Sequence, residues 1–284
     1  MKIALVQMNP TVGAVESNTD RIIDHAWTAY NAGARLILFP ELSVSGYPPE
    51  DLILKDHFCA DCEAQLLRLK KELPADAHVV VGSPVARNRR KYNAALVFHG
   101  SEITGEYHKM LLPNYGVFDE QRIFKAGSEP LVIHIDGLAT AIHICEDSWE
   151  PEGPAVAALE GRKINLLVNL SASPYYRGKL GNRMEVLAAT ARRLEAPLLY
   201  CNLVGGQDEL VFDGASMAIG SDGACVARAA RFREEILYVD PEQTGNPVAP
   251  PLSELEEVYE ALKLGLKDYV EKIGFKQVVV ALSG

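Results

Sequence analysis

Apolar positions along the chain gather in short β-branched or aliphatic runs: Lys2–Met8, Arg35–Phe39, His78–Gly82, Ala94–His99, Leu131–Ile135, Ala139–Ile144, Ile164–Asn169 and Leu198–Asn202. Runs of this kind, bounded by polar and turn residues, predict buried strands. Between many of them the apolar positions recur at helical spacing. In 16–32, Ile22, Ile23, Ala26, Trp27 and Tyr30 share a face, and Gly33 follows as a C-terminal cap. Residues 50–73 carry Leu52, Leu54, Leu66, Leu67 and Leu69 among charges, and 179–195 repeat Met184, Leu187, Ala188, Ala191 and Leu194. Asp136-Gly137 and Asp222-Gly223 predict hairpin turns. Strands alternating with helices, with hairpins added, predict an α/β layered domain.

The pattern changes at 241–251, PEQTGNPVAPP, where proline, glycine and polar residues predict a linker. Beyond it Ser253 is placed to cap an amphipathic helix whose apolar stripe runs through Leu255, Val258, Tyr259, Leu262, Leu266, Tyr269, Val270 and Ile273. Gly274 would close that helix, and Lys276–Leu282 reads as a strand leading into Ser283-Gly284, the opening of a further unit.

Composition narrows the classes of function. The 284 residues are 48% hydrophobic and 23% charged, an ordinary globular balance. A net charge of −10 argues against nucleic acid or an anionic membrane surface as a main partner. The apolar run at the N-terminus ends at Met8, too short for the core of a signal peptide, and no apolar stretch is long enough to span a bilayer. Five cysteines without framework spacing fit a reducing compartment, so a cytoplasmic protein is expected. Cys59 and Cys62 form a CxxC inside a helical pattern without a second pair, and the seven histidines show no ligand spacing; no metal site is expected.

Three residues at strand exits could carry chemistry. Cys145 follows Ala139–Ile144 and precedes EDSWEP, which cannot continue a buried strand; it reads as a nucleophile held on rigid backbone and open to solvent. Glu41 follows Leu36–Phe39 and Pro40, and Lys109 follows the strand-like stretch Glu102–His108. Singly, each has an ordinary explanation: a core cysteine, a solvated glutamate, a snorkelling lysine. Together they supply what amide hydrolysis needs, namely a thiolate to attack, a cation or N–H for the oxyanion, and a carboxylate to move the proton. Asp208, Glu209 and Asp213 read as an acidic loop near a subunit contact or an exit for ammonia.

PELSVSGYPPEDL around Glu41, EYHKMLLPNYGVFDEQRIF around Lys109 and IHICEDSWEP around Cys145 resemble the three signature segments of the nitrilase (carbon–nitrogen hydrolase) superfamily, in that family's order and over residues 1–240. Within it, GYPPEDL, NLSASPYYRGK and GGQDELVFDGASMAIGSDG are similar to the subgroup formed by the glutaminase domains of glutamine-dependent NAD synthetases. VVVALSG resembles the start of the synthetase domain of such proteins, cut after the first glycine of its phosphate loop, so no nucleotide site is expected in this chain.

The resemblance implies a four-layer α-β-β-α sandwich over 1–240, a linker at 241–252 and, in 253–284, the helix and first strand of an ATP-dependent synthetase domain. It casts Cys145 as nucleophile, Glu41 as general base and acid, Lys109 with the backbone N–H of Glu146 as oxyanion stabilisers, and Glu120 as a second glutamate beside the lysine. Tyr115 would line the glutamine pocket, Ser173 and Lys179 would hold the α-amino and α-carboxylate ends, and Trp149 would offer its carbonyl and wall the pocket with its ring. Lys179 stands where relatives carry arginine, a point charge in place of a bidentate fork. The implied reaction converts L-glutamine to glutamate and ammonia through a thioester. The ammonia would serve a synthetase partner that amidates nicotinic acid adenine dinucleotide to NAD. No cofactor is implied for this chain; ATP and magnesium would serve the synthetase domain. Pairing into a homodimer or higher homo-oligomer is implied as well. A free-standing ω-amidase, carbamoyl amidase or nitrilase, and a non-catalytic subunit, stay open as other readings.

Overall fold

Burial is continuous along the central strands, so that both faces of each sheet are apolar. Ile3 and Leu5 pack among one set of neighbours and Ala4 and Val6 among another, which a period-two strand buried on both sides requires. A computed structural model describes residues 1–240 and 245–283. In chain order its elements are β1 (Ile3–Gln7), α1 (Val15–Asn31), β2 (Leu36–Leu38), α2 (Asp56–Glu72), β3 (His78–Arg87), β4 (Arg90–His99), β5 (Glu102–His108), α3 (Glu120–Ile123), β6 (Leu131–Ile135), β7 (Leu138–Ile144) and α4 (Pro154–Ala157). They continue with β8 (Leu166–Ser171), α5 (Lys179–Arg193), β9 (Leu198–Asn202), β10 (Val204–Gln207), β11 (Leu210–Asp213), β12 (Met217–Ile219), β13 (Cys225–Arg228), β14 (Glu235–Val239) and α6 (Glu254–Ile273). Short 3₁₀ helices add Glu50–Leu54 and Cys145–Ser148.

The first sheet has the order β14-β1-β2-β3-β4-β5 and the second β13-β12-β9-β8-β7-β6. In each, three central strands run parallel (β1, β2 and β3; β7, β8 and β9) and the flanking strands are antiparallel. The sheets face one another through Leu5, Leu38, Val80, Val97, Ile142, Ile144, Val168 and Leu199. Helices α1 and α2 cover the outer face of the first sheet with Ile22, Ala26, Phe58, Cys62, Leu66 and Leu69. Helix α5 covers the second with Leu187, Ala188 and Ala191. This is the α-β-β-α sandwich of the nitrilase type. The β6–β7 turn places Asp136 at φ 47° and Gly137 at φ 81°, the left-handed pair a two-residue hairpin demands.

Three readings of the sequence change here. The helical pattern of 50–73 is broken at Lys55, whose extended backbone (φ −84°, ψ 121°) separates the 3₁₀ turn from α2. Helix α6 forms with Ser253 as its cap and Gly274 as its left-handed end, but its apolar stripe faces outward: Leu255, Leu262 and Leu266 are 84%, 69% and 67% exposed. The helix docks instead by its small and polar side. Asp268 Oδ2 accepts the Gly206 N–H and the Asn9 amide, both at 2.7 Å, and Lys272 donates to the Gly206 carbonyl at 2.9 Å. Lys276–Leu282 is exposed and forms no strand, because no neighbouring segment offers it a ladder among the described residues. Part of the expected linker, 241–244, lies outside the described residues.

Candidate active site

The parallel strands of both sheets end on one side of the sandwich, and β5, two antiparallel steps beyond β3, exits there too. Residues just past the ends of β2, β5, β7, β8 and β9 therefore meet in one crevice. Glu41 reaches it through a turn lying against β3. Gly82 makes that possible: a Cβ there would sit 2.8 Å from Glu41 Cα and press on the Pro40 carbonyl.

Glu41, Lys109 and Glu120 are 0%, 1% and 3% exposed. Lys109 Nζ donates to Glu41 Oε1 at 2.7 Å and to Glu120 Oε1 at 2.8 Å. An ammonium has three N–H groups, so one is left for a third acceptor. Burial opposes the charge on Lys109, but the carboxylates of Glu120 and Glu41 outweigh it and hold its pKa well above the ordinary lysine value. Burial raises the pKa of Glu120, and the Glu41 charge adds to this against the pull of Lys109.

Cys145 departs from its expected exposure. It is 4% exposed and belongs to the apolar layer between the sheets, because the strand end that carries it opens into the seam of the sandwich rather than onto its surface. Its φ of 44° is left-handed, a conformation an L-residue adopts only when its surroundings hold it there. Burial raises the thiol pKa well above its ordinary value, the Glu41 charge raises it further, and Lys109 opposes both. A sulfur held this way would need a neighbouring base to take its proton before it could react.

Several residues that sequence reasoning passed over hold this geometry. Asn93 on β4 donates to Glu41 Oε1 at 2.7 Å, and the Ala172 N–H donates to Glu41 Oε2 at 2.8 Å. Tyr47 OH donates to Glu120 Oε1 at 2.9 Å. Asn169 donates from Nδ2 to the Cys145 carbonyl at 3.1 Å and to Ser148 Oγ at 2.8 Å, bracing the strained turn. Asp147 accepts four hydrogen bonds around the same turn. Burial pushes its carboxyl up to about 6, against the Leu111 N–H and the Lys109 charge. The signal for these residues was weak: an asparagine inside a strand run, and an acidic residue in a motif already credited to its cysteine.

Above the buried centre lies a more open rim. Tyr115, 58% exposed, donates from its hydroxyl to Glu146 Oε1 at 2.7 Å. Lys179, the first residue of α5, holds its ammonium 4.0 Å from the Trp149 ring centre and 4.7 Å from that of Tyr176. Burial and then the Arg183 charge lower its pKa from the ordinary lysine value. Ser173 is buried at the end of β8, where its N–H donates to Asn202 Oδ1 at 3.0 Å. Tyr115, Glu146, Trp149, Ser173 and Lys179 thus lie on the segments that lead out of the Glu41–Lys109–Cys145 crevice.

Other candidates fall elsewhere. Cys59 and Cys62 lie on the buried face of α2, and no cluster of potential metal ligands occurs among the described residues. His108 pairs with Glu106 at 2.7 Å and stacks on Tyr92. The acidic loop is smaller than expected: Asp208 and Glu209 form the β10–β11 turn, but Asp213 is fully buried between Arg183 and Arg231, at 2.8 and 3.1 Å. Its neighbours are cations, so it adds no surface charge. No helix among the described residues is long and apolar enough to cross a membrane.

A two-sheet sandwich carrying a glutamate, a lysine and a cysteine in one buried crevice defines a carbon–nitrogen hydrolase. The chain belongs to that family, whose model matches residues 2–244. More particularly, it resembles glutamine-dependent NAD(+) synthetases. That of Thermotoga maritima is 38% identical over 321 residues, covering 100% of this chain and 56% of that protein. That of Xanthomonas campestris is 41% identical over 295 residues, covering 100% and 53%. The structure of the Acinetobacter baumannii synthetase superposes with a TM-score of 0.92 at 36% identity, covering 98% of this chain and 53% of that one. An amidase from Nesterenkonia sp. AN1, a mutant with the acetamide moiety of fluoroacetamide added covalently at its active site cysteine, gives 0.75 at 27% identity, covering 84% and 89%. The chain spans about half the length of the curated relatives it matches.

Proposed function

We propose that this chain hydrolyses L-glutamine to L-glutamate and ammonia through a thioester on Cys145. The observation that carries the reading is the buried Glu41–Lys109–Glu120 cluster beside a strained, buried cysteine, in a chain aligned over its whole length with glutamine-dependent synthetases. Glu41 takes the thiol proton as sulfur attacks the side-chain amide carbon. The oxyanion takes the remaining N–H of Lys109 and the backbone N–H of Glu146. Glu41 returns the proton to nitrogen, the C–N bond breaks and ammonia leaves. Water, deprotonated by Glu41, then attacks the thioester; the C–S bond breaks, glutamate is released and the thiol is restored. Glu120 keeps Lys109 charged and aimed. At the rim, Lys179 takes the substrate carboxylate, Ser173 and the Trp149 carbonyl take the α-amino end, and Tyr115 and the Trp149 ring enclose the chain between them.

The ammonia serves a synthetase that amidates nicotinic acid adenine dinucleotide to NAD, a reaction for which ATP and magnesium are expected in that other domain; α6 and the residues after it are read as the beginning of such a domain. Direct transfer suits the chemistry, since ammonia released to neutral water becomes ammonium and loses its nucleophilic lone pair. The setting is the cytoplasm and the assembly a homo-oligomer.

The test follows ammonia release from L-glutamine, L-asparagine and acetamide beside a Cys145→Ala control. Glutamine-selective, Cys145-dependent release supports the reading. Preferential release from acetamide supports instead a general amidase, the reading favoured by the Nesterenkonia likeness.

A further inference from the structure

Lys109 and Cys145 come from different sheets: Lys109 follows β5 in the first, Cys145 follows β7 in the second. Between the sheets the contact is mainly apolar, and apolar packing is non-directional. It can hold two layers together without fixing how far one slides along the other. The polar ties that cross it, from the Cys201 thiol to the Val6 and Leu38 carbonyls and from the Ser216 N–H to Gln7 Oε1, lie on β1, β2, β9 and the entry to β12, not on β5 or β7. Yet a displacement of about 1 Å between reacting groups can cost about a hundredfold in rate. A directional tie is needed close to the site.

We propose that Asp147 is that tie: a positioning residue that sets Lys109 in register with Cys145. Its carboxylate is fully buried. Oδ1 accepts the Leu111 N–H at 2.8 Å and the Met110 N–H at 3.1 Å, the two residues that follow Lys109. Oδ2 accepts the Tyr107 hydroxyl at 2.9 Å, from two residues before Lys109, and the Ile144 N–H at 3.1 Å, from the residue before Cys145. One carboxylate thus brackets the lysine on both sides and holds the strand of the cysteine, filling its acceptor positions without touching Lys109 Nζ, Glu41 or the sulfur. Two other bonds join the sheets at the site: Tyr115 hydroxyl to Glu146 Oε1, which is exposed, and Ala172 N–H to Glu41 Oε2, which ends on a group that gains and loses a proton in the proposed reaction. Asp147 is free of that duty and can stay constant through the cycle.

This inference rests on the thioester reading of Cys145, so the test watches acylation directly. The probe is p-nitrophenyl acetate, and the signal is the burst of p-nitrophenol as the full chain is acylated, with Cys145→Ala as blank. For Asp147→Asn, folded by circular dichroism, the burst rate constant falls about 30-fold or more while the ester's half-saturation concentration stays within about threefold, because oxyanion stabilisation acts on the transition state. Combined with Lys109→Ala, Asp147→Asn slows the reaction by less than about threefold more, since the group it positions is gone. Tyr107→Phe removes one of the four bonds without disturbing the shape; it slows the burst severalfold alone and leaves the Lys109→Ala background unchanged, and it carries the test if Asp147→Asn does not fold. Losses that multiply with Lys109→Ala, or variants that burst at the wild-type rate, overturn the positioning role alone. A wild-type chain without a Cys145-dependent burst overturns the thioester reading and this proposal with it.

Discussion

Glu41, Lys109 and Glu120 have at most 3% of their surface exposed and direct their polar atoms at one another, whereas Tyr115, on the loop that leaves Lys109, is 58% exposed and reaches over to Glu146. The seam and the rim are cut from the same segments, so sequence distance does not separate them; burial does. In the seam, charges sit in a medium that screens them little, and each is matched by a partner within hydrogen-bonding distance. At the rim, Lys179 lies against the rings of Trp149 and Tyr176, a contact that does not commit the ammonium to a carboxylate. Under the proposed reaction the difference assigns each kind of energy its place: fixed electrostatics where charge would develop, adaptable surface where substrate would be chosen. On that division, changes in the seam strike turnover and changes at the rim strike affinity.

The sharpest break is Cys145→Ala, which removes one sulfur and should abolish ammonia release while leaving the melting temperature nearly unchanged; retained glutamate formation would sink the nucleophile. Next is Lys109→Ala. In the proposed route Lys109 donates to the oxyanion, so its loss should lower kcat by about a hundredfold or more, and two buried carboxylates are left facing without their cation, which should destabilise the fold by about 3–5 kcal/mol. Steady-state rates and thermal melts on one sample check both halves. A Lys109→Ala protein that melts like wild type would show that the seam is less dry than its burial implies.

Much of the seam could be read in the sequence because buried strands are short apolar runs and their exits are punctuated. Pro40, and the EDSWEP that no core strand could continue, mark where Glu41 and Cys145 leave their sheets. What could not be read was depth. Spacing along a strand places Cys145 at its end but cannot say that the facing sheet covers that end. The strands β10 to β14 were missed for a related reason: segments such as Val204–Gln207, with two glycines, carry little strand propensity and exist because a partner holds them. Helix α6 shows the converse. Its amphipathic period was plain, but period does not say which face docks, and here close approach at Gly206 and the acceptor of Asp268 decided for the polar side.

At the rim, Lys179→Ala should raise KM for L-glutamine about tenfold with kcat within about twofold, the signature of binding shared equally by ground and transition states. The pH dependence sharpens this. Burial and Arg183 lower the pKa of Lys179, so the cation is present below that lowered value and lost as pH rises through it. KM should therefore climb on the alkaline side, earlier than an ordinary lysine would allow. Lys179→Arg keeps its charge there and should flatten the climb. A KM profile that is identical in the two proteins would place the substrate carboxylate elsewhere.

The smallest change tests whether the rim contributes geometry or only surface. Tyr115→Phe deletes the hydroxyl that donates to Glu146 Oε1 at 2.7 Å and leaves the ring, with its edge-on contact to Phe118, in place. The bond is exposed on the tyrosine side, so water can replace it, and about 0.5–1.5 kcal/mol is at stake. That predicts a rise in KM of about two- to tenfold. Because Glu146 follows Cys145 directly and its N–H faces the oxyanion in the proposed route, a bond that merely dresses the mouth would leave kcat alone. One that steadies the Glu146 backbone would lower kcat as well. Measuring kcat and KM separately for Tyr115→Phe decides between them: a pure KM effect keeps Tyr115 at the rim, and an equal fall in kcat extends the fixed electrostatics of the seam outward to an exposed residue.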